Sequence, residues 1–473
     1  MSKTNSGAIS VSSIFAMLKQ AFHGENQDYT SGSIRRAVFL LAVPMILEMV
    51  MESVFALVDM YFAGKLNSAE AISTIVLTEF VLTIVYALAI GLSMAATAMV
   101  ARRIGEKNPE AAAKAGVQAI ILSMMVSVAI SVAGVIWPAE ILSIMGASAE
   151  TIQIGTTYTR IIFGGNAVIM LLFMINGIFR GAGDAFMAMR SLWIANICNI
   201  ILCPILVVYG LGPIPAMGVT GAAIATTVGR GIGVLYQLYH LFGNKRIIKV
   251  KLAYLGFDWS LIKAISKIAW TGTLQFIIAS ASWMVLGKVM ASFGPVAVSG
   301  YGIAIRLIMF FLLPAWGLSN AAATLVGQNL GAQQPDRAER SVWTTAKYNT
   351  YFMIFVTLVF LVLAEPIVGF MNEDPAIDAY AVQALRIMSL GYIFYGVGMV
   401  VTNAFNGAGD TKTPTLINLF GFWLFQIPLA YLLALVFNMG PKGVFLAVLL
   451  SETAISIAGI IIFRRGRWKT VKI

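Results

Sequence analysis

Long apolar stretches separated by short polar segments dominate the hydrophobic pattern of this chain of 473 residues. Each stretch reaches about 20 residues or more, which at about 1.5 Å per residue is enough to cross a hydrocarbon layer of about 30 Å. We therefore predict an all-α, polytopic membrane protein with twelve transmembrane helices, at residues 36–62, 69–99, 112–137, 153–179, 186–210, 218–242, 264–291, 296–325, 343–364, 382–404, 414–437 and 443–463.

The chain also contains an internal repeat. The sequence GAGD at Gly181 to Asp184 returns at Gly407 to Asp410, and the same spacing relates other identical pairs such as Gly105 and Gly331 or Pro109 and Pro335. Six predicted helices fall in each half, and because six is even, both halves enter the membrane from the same side. The repeat therefore predicts two pseudo-symmetric six-helix lobes, related by an axis along the membrane normal. Asp184 and Asp410 each precede a helix, so we interpret them as helix caps.

Composition and charge agree with this picture. Hydrophobic residues make up 59% of the chain, charged residues 11%, and the mean hydropathy is +0.85. Basic residues concentrate at one end of the predicted helices, which places both termini in the cytoplasm; this set includes Arg35, Arg36, Arg102, Arg103, Lys107, Arg180, Arg190, Lys249, Lys251, Arg337, Arg340, Arg464, Arg465 and Arg467. The predicted divisions are a cytoplasmic tail at 1–33, an N-lobe at 34–242, a cytoplasmic linker at 243–260, a C-lobe at 261–463 and a cytoplasmic tail at 464–473. Topology and anionic lipid explain the net charge of +11, so we expect no nucleic-acid partner.

Cysteine and histidine are too few for several chemistries. Cys198 and Cys203 lie in one predicted helix, while His23 and His240 are far apart in sequence. No zinc motif or catalytic triad can be recognised. We expect no metal centre, no cofactor and no enzymatic activity, although a carboxylate-based intramembrane enzyme stays open as an alternative.

Ionisable residues inside predicted helices are the main functional candidates, because such residues are costly in a membrane. On the first helix Glu48, Glu52 and Asp59 lie within about 40° of one another at about 100° per residue, and Pro44 is expected to bend that helix. We predict that the three acids couple transport to a cation and that Pro44 acts as a hinge. The alternative is a purely structural burial of acids against polar neighbours.

Polar residues on the fifth and sixth helices are candidates for the same cation-coupling site: Asn196, Asn199, Cys203 and Thr226. For each of them, a hydrogen bond between helices is an equally good explanation.

A second group is predicted to line the substrate cavity. Glu79 and Arg306 are related by nearly the same spacing as the two GAGD sequences, so an acid in one half corresponds to a base in the other. We expect Glu79 to face cationic substrate and Arg306 to pair with Glu452 or Glu79. Gln275 on the seventh helix and Glu452 on the twelfth complete this group.

Four segments carry a family resemblance. VDMYFAGKL at 58–66, NICNIILCPIL at 196–206, MGVTGAAIATTVGR at 217–230 and VGQNLGAQQPDRA at 326–338 resemble the multidrug and toxic compound extrusion (MATE) transporters, bacterial type, over residues 34–463. The resemblance implies a twelve-helix antiporter that alternates access between its lobes and exports organic cations, related amphipathic compounds or drugs in exchange for Na⁺ or H⁺. It also implies a cation site at Asp59, a bending proline at Pro44, and site positions at Asn199, Cys203 and Thr226.

Two departures from the family pattern affect the site. An aspartate is expected at position 203, where this chain has Cys203, and a thiol is a poor ligand for Na⁺; Glu52 is a candidate to replace that charge. The seventh helix has Gln275 where one branch of the family has a carboxylate, which favours an N-lobe site.

We expect a monomer in contact with membrane lipids, in the bacterial inner membrane. A lipid or lipid-linked oligosaccharide flippase of related fold is the alternative function.

Overall fold

The computed structural model describes residues 17, 20, 27–66, 68–210, 212–213, 215–243, 246–372 and 374–473. Most of the predicted tail at 1–33, and residues 244–245 of the predicted linker, therefore lie outside the described residues. The described chain forms twelve long helices: α1 (Ile34–Gly64), α2 (Ala69–Gly105), α3 (Pro109–Ile136), α4 (Ala149–Ala182), α5 (Ala185–Tyr209), α6 (Val219–Phe242), α7 (Trp259–Ala291), α8 (Pro295–Gly331), α9 (Pro335–Met371), α10 (Pro375–Ser389 and Tyr392–Ala408), α11 (Lys412–Val436) and α12 (Pro441–Arg464). A short helix, Pro138–Ile144, joins α3 to α4.

Each predicted span coincides with one of these helices, and most helices extend further at the end that carries the basic residues. The extensions begin at local capping signals: Asn108 accepts a hydrogen bond from the backbone of Ala111, and Pro109 occupies the first turn of α3. Hydrophobicity marks the membrane-buried part of a helix, whereas caps mark where the helix ends. For that reason the hydrophobic pattern underestimates the helix lengths.

Ten of the described helices are individually long and apolar enough to cross a membrane, and the two segments of α10 together make an eleventh. The helix that falls short is α6. It contains Arg230 and Gln237, both almost fully buried, and these polar residues lower its hydropathy. The helix that looks least like a membrane span in sequence thus has a charged residue inside the lobe.

Two of the predicted single helices are interrupted. α4 consists of segments that meet at Gly165, and the segments of α10 meet at Leu390 and Gly391 with a bend of 61°. Gly165 and Gly391 are related by the same spacing as the two GAGD sequences, so the interruption falls at the same place in both lobes, but of the two only α10 is bent by more than 40°.

Each lobe has its own apolar core, and the first helix of each lobe packs against the second helix of the other. α1 contacts α8, and α7 contacts α2. Leu41 on α1 and Ala321 on α8 belong to one buried cluster that joins the lobes. The arrangement is therefore two six-helix bundles with a pseudo-symmetric seam.

The lobes are in close contact at the end of the molecule that carries the basic residues, which we call the basic face. Gly105 of α2 lies directly on the backbone of Gln328 in α8, so that a side chain at position 105 has no space. Arg102 donates hydrogen bonds to the carbonyl oxygens of Ala408 (3.3 Å) and Val471 (3.1 Å), both beyond the seam. The basic face is closed in this structure.

The two GAGD turns have the same conformation. Gly183 and Gly409 adopt φ angles of 87° and 85°, values that favour glycine. Asp184 is the N-cap of α5 and accepts a hydrogen bond from the backbone of Met187, as predicted. Asp410 accepts one from the backbone of Thr413, although the N-cap residue of α11 is Thr411. Tyr29 packs on Gly183, and Ile473 packs on Gly409.

Candidate functional site

The acidic face of α1 points into the N-lobe. Glu48 is 2% exposed, and its Oε1 accepts hydrogen bonds from Asn176 Nδ2 (3.0 Å) and Arg180 Nη1 (3.4 Å). Arg180 also donates to Ser93 Oγ, at 3.1 Å. The sequence predicts Arg180 on the basic face, but the structure directs its side chain into the membrane-spanning region, where it pairs with Glu48.

Glu52 has its own cationic partner. Its Oε1 accepts from Arg230 Nη2 at 3.3 Å, and its Oε2 accepts from Asn196 Nδ2 at 3.0 Å. Arg230 is 1% exposed, and the rings of Phe55, Tyr86 and Phe173 lie 5.2 to 6.0 Å from its guanidinium carbon. The guanidinium is therefore bound by one carboxylate and surrounded by aromatic rings, while its Nε and Nη1 have no hydrogen-bond partner among the described residues.

Asp59 is the third acid of this face, and it has no hydrogen-bond or salt-bridge partner among the residues that the structure describes. It lies within electrostatic range of Arg230 and of Cys203. On the neighbouring helices, Asn199 Nδ2 donates to Thr226 Oγ1 at 3.1 Å, and Cys203 is buried. The structure thus brings the predicted coupling residues together in one N-lobe cluster, which we define as Glu48, Glu52, Asp59, Asn196, Asn199, Cys203 and Thr226 with Arg180 and Arg230.

Pro44 lies within α1, and the helix continues through it without a break. Its role as a hinge therefore stays a prediction for another conformation.

A central cavity of about 310 Å³ lies between the lobes. Its N-lobe wall includes Glu48, Glu52 and Arg180, and its C-lobe wall is aromatic and amide-bearing; the C-lobe members are Phe276, Leu313, Trp316, Asn320, Ala323, Asn403, Asn406 and Gly407. The charged cluster of one lobe thus faces a largely uncharged wall of the other.

The predicted cavity residues fall into two groups. Gln275 and Glu452 line one C-lobe cavity of about 140 Å³, and Glu452 also lines a neighbouring cavity of about 230 Å³. Glu79 is exposed one turn from Thr83, which lines the central cavity, and it is within electrostatic range of Asp59. Arg306 is exposed and pairs with neither Glu79 nor Glu452 in this conformation. Glu79 and Arg306 therefore lie apart from Gln275 and Glu452.

Three residues of the site, Asn176, Arg180 and Arg230, are not among the predicted site residues. Arg230 carries the clearest signal, since it sits in the middle of a predicted span, where an ionisable residue is a functional candidate by default. Arg180 gives a weaker signal because it lies close to the end of its helix. Among the described residues, no group of three or more His, Cys, Asp or Glu side chains could hold a metal ion.

Two six-helix lobes around a central cavity with buried charges define a multi-pass membrane transporter. The chain belongs to the MATE family: the family model described as MatE matches residues 44–205 and 273–432, one stretch in each lobe. This confirms the predicted family.

Curated relatives match along almost the whole chain. The chain is 24% identical to the probable multidrug resistance protein NorM of Thermotoga maritima, over 92% of this chain and 93% of that protein. It is 25% identical to the probable multidrug resistance protein YpnP of Bacillus subtilis, over 94% and 98%.

Solved structures share the fold. A MATE protein crystallised in complex with MaL6 superposes with a TM-score of 0.88 at 24% identity, covering 94% of this chain and 99% of that one. A MOP superfamily transporter from Pyrococcus furiosus gives 0.87 at 24% identity, covering 94% and 98%. The predicted all-α fold of twelve transmembrane helices in two lobes is confirmed.

Proposed function

We propose that this protein is a multidrug efflux antiporter that exports organic cations and related amphipathic compounds in exchange for H⁺ or Na⁺. The relatives described as multidrug resistance proteins support the cargo class. The charges of the N-lobe cluster support the coupling to a cation.

The observation that carries the proposal is an imbalance of one charge. Glu48 pairs with Arg180 and Glu52 pairs with Arg230, whereas Asp59 has no salt bridge among the described residues. When the three carboxyl groups and the two guanidinium groups are all ionised, one negative charge remains, and one proton or one Na⁺ balances it. Because Arg230 balances Glu52, Asp59 is the better candidate for the exchanged cation.

Oxygen atoms that suit Na⁺ are available in the N-lobe cluster. The side-chain oxygens of Asn196 and Asn199 are buried and have no hydrogen-bond partner. Amide and carboxylate oxygens suit a hard cation, while binding of a proton needs only the carboxylate. Either H⁺ or Na⁺ therefore fits this site as the coupling ion.

The mechanism is alternating access by the two lobes. The closed basic face, which we assign to the cytoplasm, defines a conformation in which cargo leaves on the opposite side. A cation bound at Asp59 and cargo bound in the central cavity need only favour different conformations for exchange to follow. The flippase alternative has less support, since Arg180, the basic residue in the cavity wall, is already paired with Glu48.

The test is transport of ethidium into proteoliposomes under a pH gradient and a Na⁺ gradient, imposed separately. We expect one gradient to drive accumulation, and Asp59→Asn to abolish that dependence. Glu150→Gln, an exposed acid in the first turn of α4, is the matched control and should transport normally. Full gradient-driven transport by the Asp59→Asn variant would remove Asp59 from the coupling site.

We further propose that the protein is a monomer in the bacterial inner membrane, with both termini in the cytoplasm. Single cysteines at exposed Glu110 and Ile144, which lie at opposite ends of the helices, test the orientation. We expect a membrane-impermeant maleimide, added to intact cells, to label only the cysteine at position 144. Labelling of position 110 instead would reverse the topology.

A further inference from the structure

Four polar side chains around one cavity of the C-lobe have buried atoms without hydrogen-bond partners among the described residues. The atoms are Gln275 Oε1, Glu452 Oε2, Ser456 Oγ, and both Nδ2 and Oδ1 of Asn406. All four residues line the same cavity of about 140 Å³, which we call the C-lobe pocket. A buried polar group left unpaired is destabilising, so several of them around one cavity indicate a site that a ligand completes.

The repeat shows how this pocket differs from the N-lobe cluster. The spacing of the two GAGD sequences places Asn406, in the segment Tyr392–Ala408 of α10, at the position of Arg180 in α4. α6 and α12 both start after a glycine of positive φ, Gly218 and Gly440, and aligning these two glycines places Glu452 at the position of Arg230. Arg180 and Arg230, which neutralise acids in the N-lobe, therefore correspond in the C-lobe to an amide side chain, Asn406, and to a carboxylate, Glu452.

The pocket is rich in acceptors and contains one carboxyl group, that of Glu452. Glu452 has no cationic partner among the described residues, and the amide oxygens of Gln275 and Asn406 are also free to accept. A ligand with N–H donors and a positive charge would pair with these oxygens and with the carboxylate of Glu452.

Aromatic rings make up much of the remaining wall, and two of them connect the pocket to the central cavity. Phe276 and Trp316 line both spaces, as does Asn406, and Tyr395 lies beside Glu452. Aromatic faces attract organic cations and accept flat apolar groups. An amphipathic molecule in the central cavity can therefore place its polar end in the C-lobe pocket.

We propose that the C-lobe pocket is a cargo subsite that binds the N–H-bearing cationic head group of the substrate, an ammonium or an amidinium. It distinguishes such head groups from permanent cations that carry no N–H. This inference rests on the proposed function only in taking the cargo to be an organic cation.

The experiment is equilibrium binding to the purified full-length protein in detergent, without any ion gradient. The probes are 4′,6-diamidino-2-phenylindole, which has two amidinium groups, and tetraphenylphosphonium, which has no N–H. We expect Glu452→Gln and Asn406→Leu each to weaken binding of the diamidine at least about tenfold, as loss of a charge-assisted hydrogen bond predicts. The tetraphenylphosphonium affinity of Glu452→Gln, a residue outside the wall of the central cavity, should stay within about twofold, which also shows that this variant is folded. Glu365→Gln, an acid on the surface of the same lobe, is the control.

Three outcomes overturn the inference: unchanged diamidine binding in both variants, equal weakening of both probes, or displacement of the diamidine by Na⁺ that Glu452→Gln abolishes. The last result would make the pocket an ion site. If the other variants are unstable, Ser456→Ala, a milder change, is tested in the same way: it should weaken binding of the diamidine and leave tetraphenylphosphonium binding unchanged. A failure of the proposed antiport would appear in liposomes and would leave this binding selectivity intact.

Discussion

Arg230 and Glu52 form a salt bridge of 3.3 Å between α6 and α1, inside the N-lobe. Removing one partner of a buried ion pair leaves an uncompensated charge, which costs about 3–5 kcal/mol. We therefore expect Arg230→Met to lower the melting temperature strongly in detergent, as measured by intrinsic fluorescence.

The double variant Arg230→Met with Glu52→Gln is the internal control for that pair. Because it removes both charges, it should recover most of the lost stability. A double variant as unstable as Arg230→Met alone would show that packing around Arg230, rather than its charge, stabilises the lobe.

Cys203 offers a way to change the coupling ion. It is buried within electrostatic range of Asp59, so Cys203→Asp would place a second carboxylate near the first. Paired carboxylates hold a cation more tightly than one. We expect Na⁺-dependent ethidium transport to reach half its maximum at a lower Na⁺ concentration, with Cys203→Asn as the uncharged control. An identical Na⁺ dependence in both variants would place the site elsewhere.

Arg102 bonds to backbone oxygens on the far side of the seam, so Arg102→Ala should loosen the basic face. Hydrogen bonds to a charged group are worth about 1.5–3 kcal/mol, which corresponds to roughly tenfold more frequent opening. The reporter is a cysteine at Ala101, which is fully buried against Gly327, in a background without Cys198 and Cys203. We expect maleimide labelling of this cysteine to accelerate by that factor. Labelling at the unchanged rate would show that other contacts close the seam.

The segment before α1 should respond to acid. Desolvation raises the pKa of Asp28, but hydrogen bonds from Thr30 and the charge of Lys107 outweigh it and lower that pKa to about 2. Since the folded pKa lies below the unfolded value of about 3.9, the stabilisation is complete above about pH 4 and is lost as pH falls toward 2. The pair is largely exposed, so its contribution is at most about 1 kcal/mol. Proteolysis of the segment at pH 7 should therefore be only slightly faster in Asp28→Asn, and the difference should vanish near pH 2.

Hydrophobic length and the repeat were sufficient to predict twelve helices, because both signals act over long stretches of the chain. The same signals could not show that α10 bends at Gly391, since a glycine in an apolar helix is also compatible with a straight one. Likewise, spacing on a single helix placed Glu48, Glu52 and Asp59 on one face. Side-chain partners on other helices depend on packing, which is why the pairing with Arg180 and Arg230 emerged only from the structure.

Arg306 illustrates the limit of reasoning from symmetry. Its position relative to Glu79 follows from the repeat, but its exposed side chain depends on the rotation of α8 and on how the lobes are closed. Gln275 and Glu452 were predicted as cavity residues and do line one cavity, whereas nothing in the sequence pointed to Asn406, a neutral residue in an apolar helix.

The two GAGD turns make the same contact in each lobe, one with Tyr29 and the other with Ile473. In both, a chain segment from outside the helices rests on a glycine whose backbone excludes any larger residue. The GAGD sequence therefore has the same structural role in both copies. Arg230 and Glu452, in contrast, stand at equivalent positions with opposite charge and have different roles. In a duplicated protein of this kind, identity between the copies identifies the scaffold, and reversal between them identifies where each half became specialised.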